Sequence, residues 1–336
     1  MEIHVQQINN YIHRFFEKFS IDLIENIQIE TLPQGVWNFS YVVTVNNQEK
    51  LVFKLYPNSN SKELMIGNSG AMEFLCLQAL ISIGIAPIPL FFDDSCTHFN
   101  YPCLVYKYVS GRQLKFNDEV LIETAKIFSK LHSFNPCRLN MIKKRNDFVY
   151  DLINKIETMF YFYQNSNNKK DKNNEDLNLY LNLINQFKYK LKDVPRFSYK
   201  EALIHADPVP SNFIINQQQV VLIDWQTPML SDPAFDIWLF LSKPFQLWDL
   251  DSGITEVQKE LFLNQYIKLT QDKEIEKRMS QKEPLYLLEF GLHCLIRYSE
   301  YLNKNINQEI AEGRNLNFEK YKKSKELVFD ILKNML

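Results

Sequence analysis

The stretch from His205 to Asp224 reads HADPVPSNFIINQQQVVLID. Two short β-branched runs, FII and VVLI, flank the polar segment NQQQ, a pattern typical of a tight β-hairpin. With the turn centred near Gln218, Asn212 lies opposite Asp224, and directly opposed residues have Cβ atoms about 4.5–5.5 Å apart. An amide oxygen and a carboxylate are the kind of oxygen ligands that Mg²⁺ uses together with substrate phosphates. The hairpin therefore predicts a Mg²⁺ site at Asn212 and Asp224.

Asp207 lies five residues before Asn212, on a loop that Pro208 and Pro210 stiffen. Its carboxylate is expected to overhang the same end of the hairpin, where it could accept a proton. A single Asp or Asn beside a strand is usually a turn residue or a cap, so an incidental role for each residue is an open alternative. A zinc site built on His205 is another alternative, although no second His or Cys follows at ligand spacing.

The composition of the 336-residue chain is that of a globular protein with a sizeable core, since 46% of residues are apolar and 23% are charged. A formal net charge of −2 and the lack of a long basic stripe argue against nucleic acid as the main partner. The five cysteines are scattered without CxxC spacing, so reduced thiols and a cytoplasmic location are expected. The first residues, MEIHVQQINNYIHRFF, are amphipathic and do not have the pattern of a signal peptide.

One apolar run, LCLQALISIGIAPIPLFF, raises the question of a membrane span. Gly84, Pro87 and Pro89 interrupt the run, and a helix is not expected to continue through them. A core helix that leads into a strand is the better interpretation, and no membrane span is predicted.

The pattern of strands and helices divides the chain near residue 110. A leading helix over residues 1 to about 19 precedes five β-rich runs, NIQIETL, FSYVVTV, KLVFKLY, IPLFFDD and YPCLVYKYV. Between them, GAMEFLCLQALISIG has helical spacing and ends at Gly84. After Gly111 the periodicity is mainly helical, with an exposed polar loop expected over 164–176. The sequence therefore predicts an α+β chain with an antiparallel sheet and one packed helix in residues 1–108, and a mainly helical unit in residues 109–336.

The pattern His-x-Asp-x4-Asn, followed by a strand pair and Asp224, resembles the catalytic segment of the aminoglycoside phosphotransferase and choline kinase superfamily, relatives of protein kinases. The resemblance extends over roughly residues 25 to 300. It implies a bilobal protein-kinase-like fold with the active site between the lobes. It also implies that Asp207 is the catalytic base and that Asn212 and Asp224 hold Mg²⁺.

The run DPAFDIWLFL is similar to an Asp-x-Ala-x-Asp segment of the same superfamily. By this resemblance His205 belongs with Asp207 to the catalytic loop, and His205, Asp232 and Asp236 would brace that loop or the neighbouring helix. The chain departs from the pattern at Ala206, where many members have glycine.

The N-terminal half should then supply a lysine that contacts phosphates and a carboxylate that holds it. Lys54 alternates with apolar residues in KLVFKLYP, and a turn at NNQE places it opposite Ser40 or Tyr41. An ordinary surface lysine is the alternative. Glu73, in the first turn of the predicted helix, occupies the position at which family members have this carboxylate. Glu63 is the alternative candidate.

Two further segments are expected to contact the nucleotide. The loop PQGVWN contains a single glycine, Gly35, which is weak as a phosphate motif because several glycines normally allow close backbone approach. The segment YPCLVYKYVSG resembles the linker between lobes that holds adenine, with Lys107 and Val109 as the contacting backbones.

The implied activity is transfer of the γ-phosphoryl group of ATP, or GTP, with Mg²⁺, to a hydroxyl of a small molecule. The acceptor could be an aminoglycoside-like antibiotic, a choline- or ethanolamine-like amino alcohol, or another metabolite, because the fold does not choose among them. The alternative is a catalytically inactive kinase fold that acts as a nucleotide sensor or scaffold. Candidate side chains for a cationic acceptor are Trp225, Trp238, Trp248, Tyr298, Tyr301, Glu309 and Glu312.

Overall fold

The structure, a computed structural model, describes residues 2–15, 17, 23–32, 38–57, 70–136, 139, 142–165, 174–191, 197–216, 219–302 and 318–335. Several residues named above lie outside this part of the chain: Gly35, Glu63, Glu309, Glu312 and the side chain of Tyr301. The expected polar loop also lies largely outside it, between helices that end at Asn165 and begin at Asn174.

The N-terminal lobe is built on a five-stranded sheet in which every pair of neighbours is antiparallel. Its strands are β1 (Ile27–Thr31), β2 (Phe39–Val45), β3 (Glu49–Leu55), β4 (Pro89–Asp93) and β5 (Cys103–Lys107). Their order across the sheet is β1-β2-β3-β5-β4. Asn46 and Asn47 adopt left-handed conformations between β2 and β3, which asparagine tolerates well. This turn sets the register of β3.

Two helices pack on this sheet, where the sequence predicted one. They are α1 (Glu2–Phe15) and α2 (Gly70–Leu80). Ile8, Tyr11 and Ile12 of α1 recur at helical spacing and are buried in an outer cluster with the apolar face of β3. The opposite face of β3 packs in a second cluster that contains α2. The leading helix was predicted but not assigned to the sheet, and it packs there because its amphipathic sequence needs a surface on which to bury its apolar side.

The apolar run discussed above divides as the sequence predicted. Helix α2 ends at Leu80, and a short 3₁₀ turn, Ile81–Ile83, leads to Gly84 in a left-handed conformation with φ of 65°. Strand β4 then begins at Pro89. Among the described residues, no helix combines the length and the apolar character that a membrane crossing requires.

The C-terminal lobe is mainly helical and carries two small three-stranded sheets. Its helices are α3 (Asp118–Ser133), α4 (Val149–Asn165), α5 (Asn174–Leu191), α6 (Ala234–Leu241), α7 (Lys243–Asp249), α8 (Glu256–Thr270), α9 (Ile275–Leu302) and α10 (Phe318–Asn334). Its strands are β6 (Arg112–Gln113), β7 (Lys143–Lys144), β8 (Ala202–Ile204), β9 (Phe213–Asn216), β10 (Gln219–Leu222) and β11 (Met229–Ser231). The sheet orders are β10-β9-β6 and β7-β11-β8.

Close packing of α9 against α5 and α10 depends on Gly291. A Cβ atom at this position would overlap with the Tyr180 hydroxyl and lie 2.9 Å from Val328 Cγ1. Gly291→Ala should therefore destabilise the protein by about 1–3 kcal/mol through overpacking, although alanine favours the helical conformation. Urea denaturation measures this change.

A second variant isolates the cause of that loss. The Tyr180 hydroxyl is buried without a hydrogen-bond partner in the described part of the chain, so Tyr180→Phe alone should cost little. Combined with Gly291→Ala, it should recover part of the lost stability. If the stability changes of Gly291→Ala and Tyr180→Phe were simply additive in the double variant, the steric explanation would be contradicted.

Candidate active site

The predicted hairpin forms from β9 and β10, but its register differs by one residue from the prediction. Asn216 pairs with Gln219 and Phe213 with Leu222, and the Ile223 amide donates to the Asn212 carbonyl at 2.8 Å. Asn212 therefore lies opposite Ile223, and the prediction that it lies opposite Asp224 was wrong.

Asp224 follows β10 in a left-handed conformation, with φ of 67°. This conformation, which Asp adopts more readily than most residues, ends the strand geometry directly after the hairpin. The Asp224 carboxylate then forms an ion pair with Lys54 Nζ through Oδ1. The contact joins the C-terminal lobe to the sheet of the N-terminal lobe across the cleft.

Lys54 lies in β3 directly opposite Ser40, as the turn at NNQE predicted. Its Nζ is 2.7 and 3.0 Å from the two carboxylate oxygens of Glu73 in α2. Both side chains are buried, 5% and 1% exposed, so Lys54 is not an ordinary surface lysine. Tyr56, which the sequence analysis did not identify, donates its hydroxyl proton to Glu73 Oε2 at 2.6 Å.

The charge of Lys54 and the charges of the carboxylates of Asp224 and Glu73 stabilise each other. Burial alone would lower the pKa of Lys54, but the carboxylates of Asp224 and Glu73 outweigh it and raise the pKa, so the amine is protonated. Burial opposes ionisation of Asp224, yet the charge of Lys54 and hydrogen bonds from Lys54 and Gln226 lower its pKa. Burial raises the pKa of Glu73 more than Lys54 lowers it. The cleft thus holds a buried cation beside an ionised Asp224.

The loop before the hairpin is held by Asp236 of α6. Its Oδ2 accepts from the His205 amide at 2.7 Å and its Oδ1 from the Ala206 amide at 2.8 Å. Ala206 has φ of 65°, a conformation that glycine adopts at lower cost. The two bonds from Asp236 stabilise this turn, and they explain how alanine is accommodated where glycine is common.

His205 is fully buried and is bonded through both ring nitrogens. Its Nε2 is 2.9 Å from the Ile223 carbonyl, which can only accept, so Nε2 carries the proton. Its Nδ1 then accepts from the Asp207 amide at 3.3 Å. Burial lowers the pKa of the ring, so the ring is neutral. This arrangement ties the loop before the hairpin to Ile223, directly after β10.

Asn212 and Asp207 contact each other through the Asn212 amide. Its Nδ2 donates to the Asp207 carbonyl at 2.8 Å and lies 3.5 Å from Asp207 Oδ2. In the described part of the chain, no group donates to Asn212 Oδ1 or to Asp224 Oδ2. Two oxygen atoms of the type that Mg²⁺ prefers thus remain available, one of them on the carboxylate that contacts Lys54, and this donor set fits the ion that the sequence implied.

The segment between the lobes presents polar backbone groups. The Lys107 amide already donates to the Ile88 carbonyl at 2.9 Å, so only its carbonyl remains to contact a base. The Val109 amide donates to no described residue. One acceptor and one donor, two residues apart, are thus offered at the positions that the resemblance suggested.

Asp232 is fully buried in an ion network that the sequence analysis missed. Its carboxylate accepts from Arg278 Nε at 2.9 Å and from Lys282 Nζ at 2.6 Å. Lys282 also donates to Asp147 Oδ2 at 3.0 Å. Burial would raise the pKa of Asp232, but the two cations outweigh it and lower the pKa. Lys282 thus joins two buried carboxylates from separate segments of the C-terminal lobe.

The network continues along α9. Arg145 donates to Asp147 at 3.0 Å and contacts both oxygens of Glu289 at 2.8 and 3.0 Å. Lys155 donates to Glu289 at 2.6 Å. These contacts fix α9 to α4 and to the segment before it, and Lys282 joins α9 to the DPAFD motif through Asp232.

Of the aromatic residues suggested for a cationic acceptor, the four whose side chains the structure describes do not form an open cage. Trp225 and Trp238 are buried, and their indole N–H groups face the Leu222 carbonyl and Glu283. Lys320 lies over the ring of Trp248, and Lys325 lies over that of Tyr298. The zinc alternative also gains no support, since the described residues contain no group of three or more His, Cys, Asp or Glu side chains that could hold a metal ion.

Comparisons with known proteins agree with this architecture. A choline kinase from Cryptosporidium parvum is 18% identical, with 97% of this chain and 96% of that chain covered and a TM-score of 0.64. A Plasmodium vivax ethanolamine kinase is 16% identical, with coverage of 97% and 88% and a TM-score of 0.65. A spectinomycin phosphotransferase, solved in complex with ADP and spectinomycin, is 16% identical, with coverage of 92% and 93% and a TM-score of 0.61. These likenesses confirm the bilobal kinase-like fold.

Sequence comparison places the chain in a family. No curated protein sequence matches it significantly. The model of the phosphotransferase enzyme family (APH) matches residues 28–274, which include both Lys54 and the hairpin. The chain therefore belongs to the phosphotransferase enzyme family.

Proposed function

We propose that this phosphotransferase moves the γ-phosphoryl group of ATP, or GTP, to a hydroxyl of a small molecule. The observation that carries the proposal is the meeting of Lys54, held by Glu73, with Asp224 across the cleft. Asn212 contacts Asp207, and its carbonyl accepts from the amide of Ile223, the residue directly before Asp224. A cation and a pair of oxygen ligands in one cleft suit a polyphosphate with its metal ion.

Each end of the nucleotide would have its own partners. The Lys107 carbonyl and the Val109 amide would contact the base, and Lys54 would neutralise charge on the phosphates. Asn212 and Asp224 would hold Mg²⁺, which supplies positive charge to the phosphate oxygens when bound. Catalysis of this type depends mainly on positioning and electrostatic stabilisation.

Asp207 would act on the acceptor. Its carboxylate would orient the acceptor hydroxyl and take its proton as the oxygen forms a bond to the γ-phosphorus. The bond between that phosphorus and the bridging oxygen breaks, and the nucleoside diphosphate leaves with the electron pair. His205 and Asn212 would hold the loop that carries Asp207, through the Asp207 amide and carbonyl.

The proposal identifies the phosphoryl acceptor by its chemical class and not as a single compound. The solved relatives are named for choline, ethanolamine and spectinomycin, so amino alcohols and aminoglycoside-like antibiotics are the first acceptors to screen. The scaffold alternative predicts that at least one of Lys54, Asp207, Asn212 and Asp224 is missing. All four are present, and no observation favours that alternative.

Thermal melting with nucleotides tests the proposed site. A ligand at 100 times its Kd that binds only the folded state adds about 2.7 kcal/mol, which should raise the melting temperature of a chain of this length by about 4 °C. We expect such a shift with Mg²⁺ and ATP or GTP, and we expect Asp224→Ala to abolish the part that depends on Mg²⁺.

Asp330→Ala, a matched change at an exposed position of α10, should leave the shift unchanged. No shift with any nucleotide at millimolar concentration would contradict the proposed function and favour the scaffold alternative.

A further inference from the structure

Two hydrogen-bonded side-chain amides, those of Asn38 and Gln226, connect the N-terminal lobe across the cleft to Asp224. Gln226 Nε2 donates to Asp224 Oδ1 at 2.5 Å. Asn38 Nδ2, from the residue directly before β2, donates to Gln226 Oε1 at 2.7 Å. Asn38 is only 3% exposed. The N-terminal lobe therefore holds the Asn38 end of this pair of amides in a buried setting, and the C-terminal lobe holds the Gln226 end.

The orientation of both amides follows from the charge at Asp224. An ionised carboxylate only accepts hydrogen bonds, so the NH₂ group of Gln226 must face it. The Gln226 oxygen then points the other way, and Asn38 must donate to it. If the Gln226 amide were rotated by half a turn, its oxygen would face the Asp224 carboxylate and its NH₂ group would face the NH₂ group of Asn38. With its NH₂ group turned toward Gln226 Oε1, Asn38 stabilises the orientation of Gln226 that suits Asp224.

The same arrangement decides which oxygen of Asp224 is available. Oδ1 accepts from both Gln226 and Lys54, and no described group donates to Oδ2. A carboxylate held by two donors on one oxygen cannot rotate freely, so its second oxygen keeps one direction.

We infer that Gln226, locked by Asn38, is a positioning residue that presents Asp224 Oδ2 to the Mg²⁺ ion that accompanies the nucleotide. The inference rests on the proposed function. It assigns to Asn38 the role of linking the N-terminal lobe to the metal-holding carboxylate, a role distinct from that of Lys54, which contacts Asp224 directly.

Nucleotide binding with and without the metal ion tests this role. Isothermal titration calorimetry gives the Kd of a non-hydrolysable ATP analogue in EDTA and in Mg²⁺, and the ratio of the two values measures the benefit from Mg²⁺. Gln226→Met keeps the side-chain length but loses both bonds, and it should lower this ratio about tenfold while binding in EDTA changes less than about twofold. Asn38→Leu should lower the ratio in the same direction.

The double variant and a control sharpen the test. Asn38→Leu combined with Gln226→Met should lower the ratio no further than Gln226→Met alone, because the two residues act in series. Gln186→Met, on the remote helix α5, should leave the ratio unchanged. If Gln226→Met does not fold, Asn38→Leu carries the test, since it leaves the bond from Gln226 to Asp224 possible.

The outcomes separate the inference from the proposed function. A ratio that stays at the wild-type value in both single variants, or equal weakening with and without Mg²⁺, overturns the inference and leaves the nucleotide site intact. Additive effects in the double variant overturn the serial arrangement. A wild-type protein that binds no nucleotide in either condition overturns the proposed function and the inference with it.

Discussion

Asp207→Asn should lower the rate of phosphoryl transfer by about 10²–10⁴-fold while nucleotide binding stays close to wild type. The amide cannot accept the proton of the acceptor hydroxyl. The loop should keep its shape because Asn212 Nδ2 donates to the Asp207 backbone carbonyl, and His205 accepts from the Asp207 amide. Release of ADP or GDP at saturating nucleotide, with an acceptor found by screening, measures the rate.

The control for this variant is Asp330→Asn, at an exposed position of α10, which should retain full activity. A melting curve of Asp207→Asn with Mg²⁺ and nucleotide confirms that the nucleotide still binds. Retention of more than a tenth of the wild-type rate would show that another group takes the proton.

Lys282→Met should reduce the free energy of unfolding by about 3–5 kcal/mol, the largest stability change that we expect from a single substitution here. Lys282 is buried and bonds to both Asp147 and Asp232. Without it, these two buried carboxylates retain only Arg145 and Arg278 as cationic partners. Chemical denaturation at pH 7 measures the loss.

Lys277→Met provides the matched control on the same helix. Lys277 is exposed and pairs with Glu274 on the surface of the protein, and exposed pairs contribute about 0–1 kcal/mol. A loss of less than about 1 kcal/mol for Lys282→Met would mean that the network relaxes or that water enters it.

The sequence predicted those parts of the site that local pattern determines. The alternation in β3 and the turn before it predicted that Lys54 lies opposite Ser40 or Tyr41, and it lies opposite Ser40. The register of the site hairpin was wrong by one residue, because the run NQQQ has no glycine to mark the centre of the turn. The left-handed conformation of Asp224 also had no signal in the sequence, since Asp occurs in many backbone conformations.

Contacts between distant segments were beyond the reach of sequence pattern. Asn38 and Gln226 are separated by 188 positions, and although Asn38 is the last residue of PQGVWN, no local pattern pairs it with Gln226. The ion network was also missed, although α9 carried a signal. Arg278, Lys282 and Glu289 recur at helical spacing on one side of α9, and charges that become buried need partners.

The two left-handed residues beside the hairpin, Ala206 and Asp224, respond to selection in opposite ways. A side chain in this conformation costs about 1–2 kcal/mol that glycine avoids. At position 206 the methyl group has no part in the proposed chemistry, so evolution is free to exchange alanine and glycine there. At position 224 the same exchange relieves the backbone but removes the carboxylate. Asp224 is thus retained despite its backbone cost, because its carboxylate also forms the buried ion pair with Lys54, and loss of one partner of such a pair is destabilising.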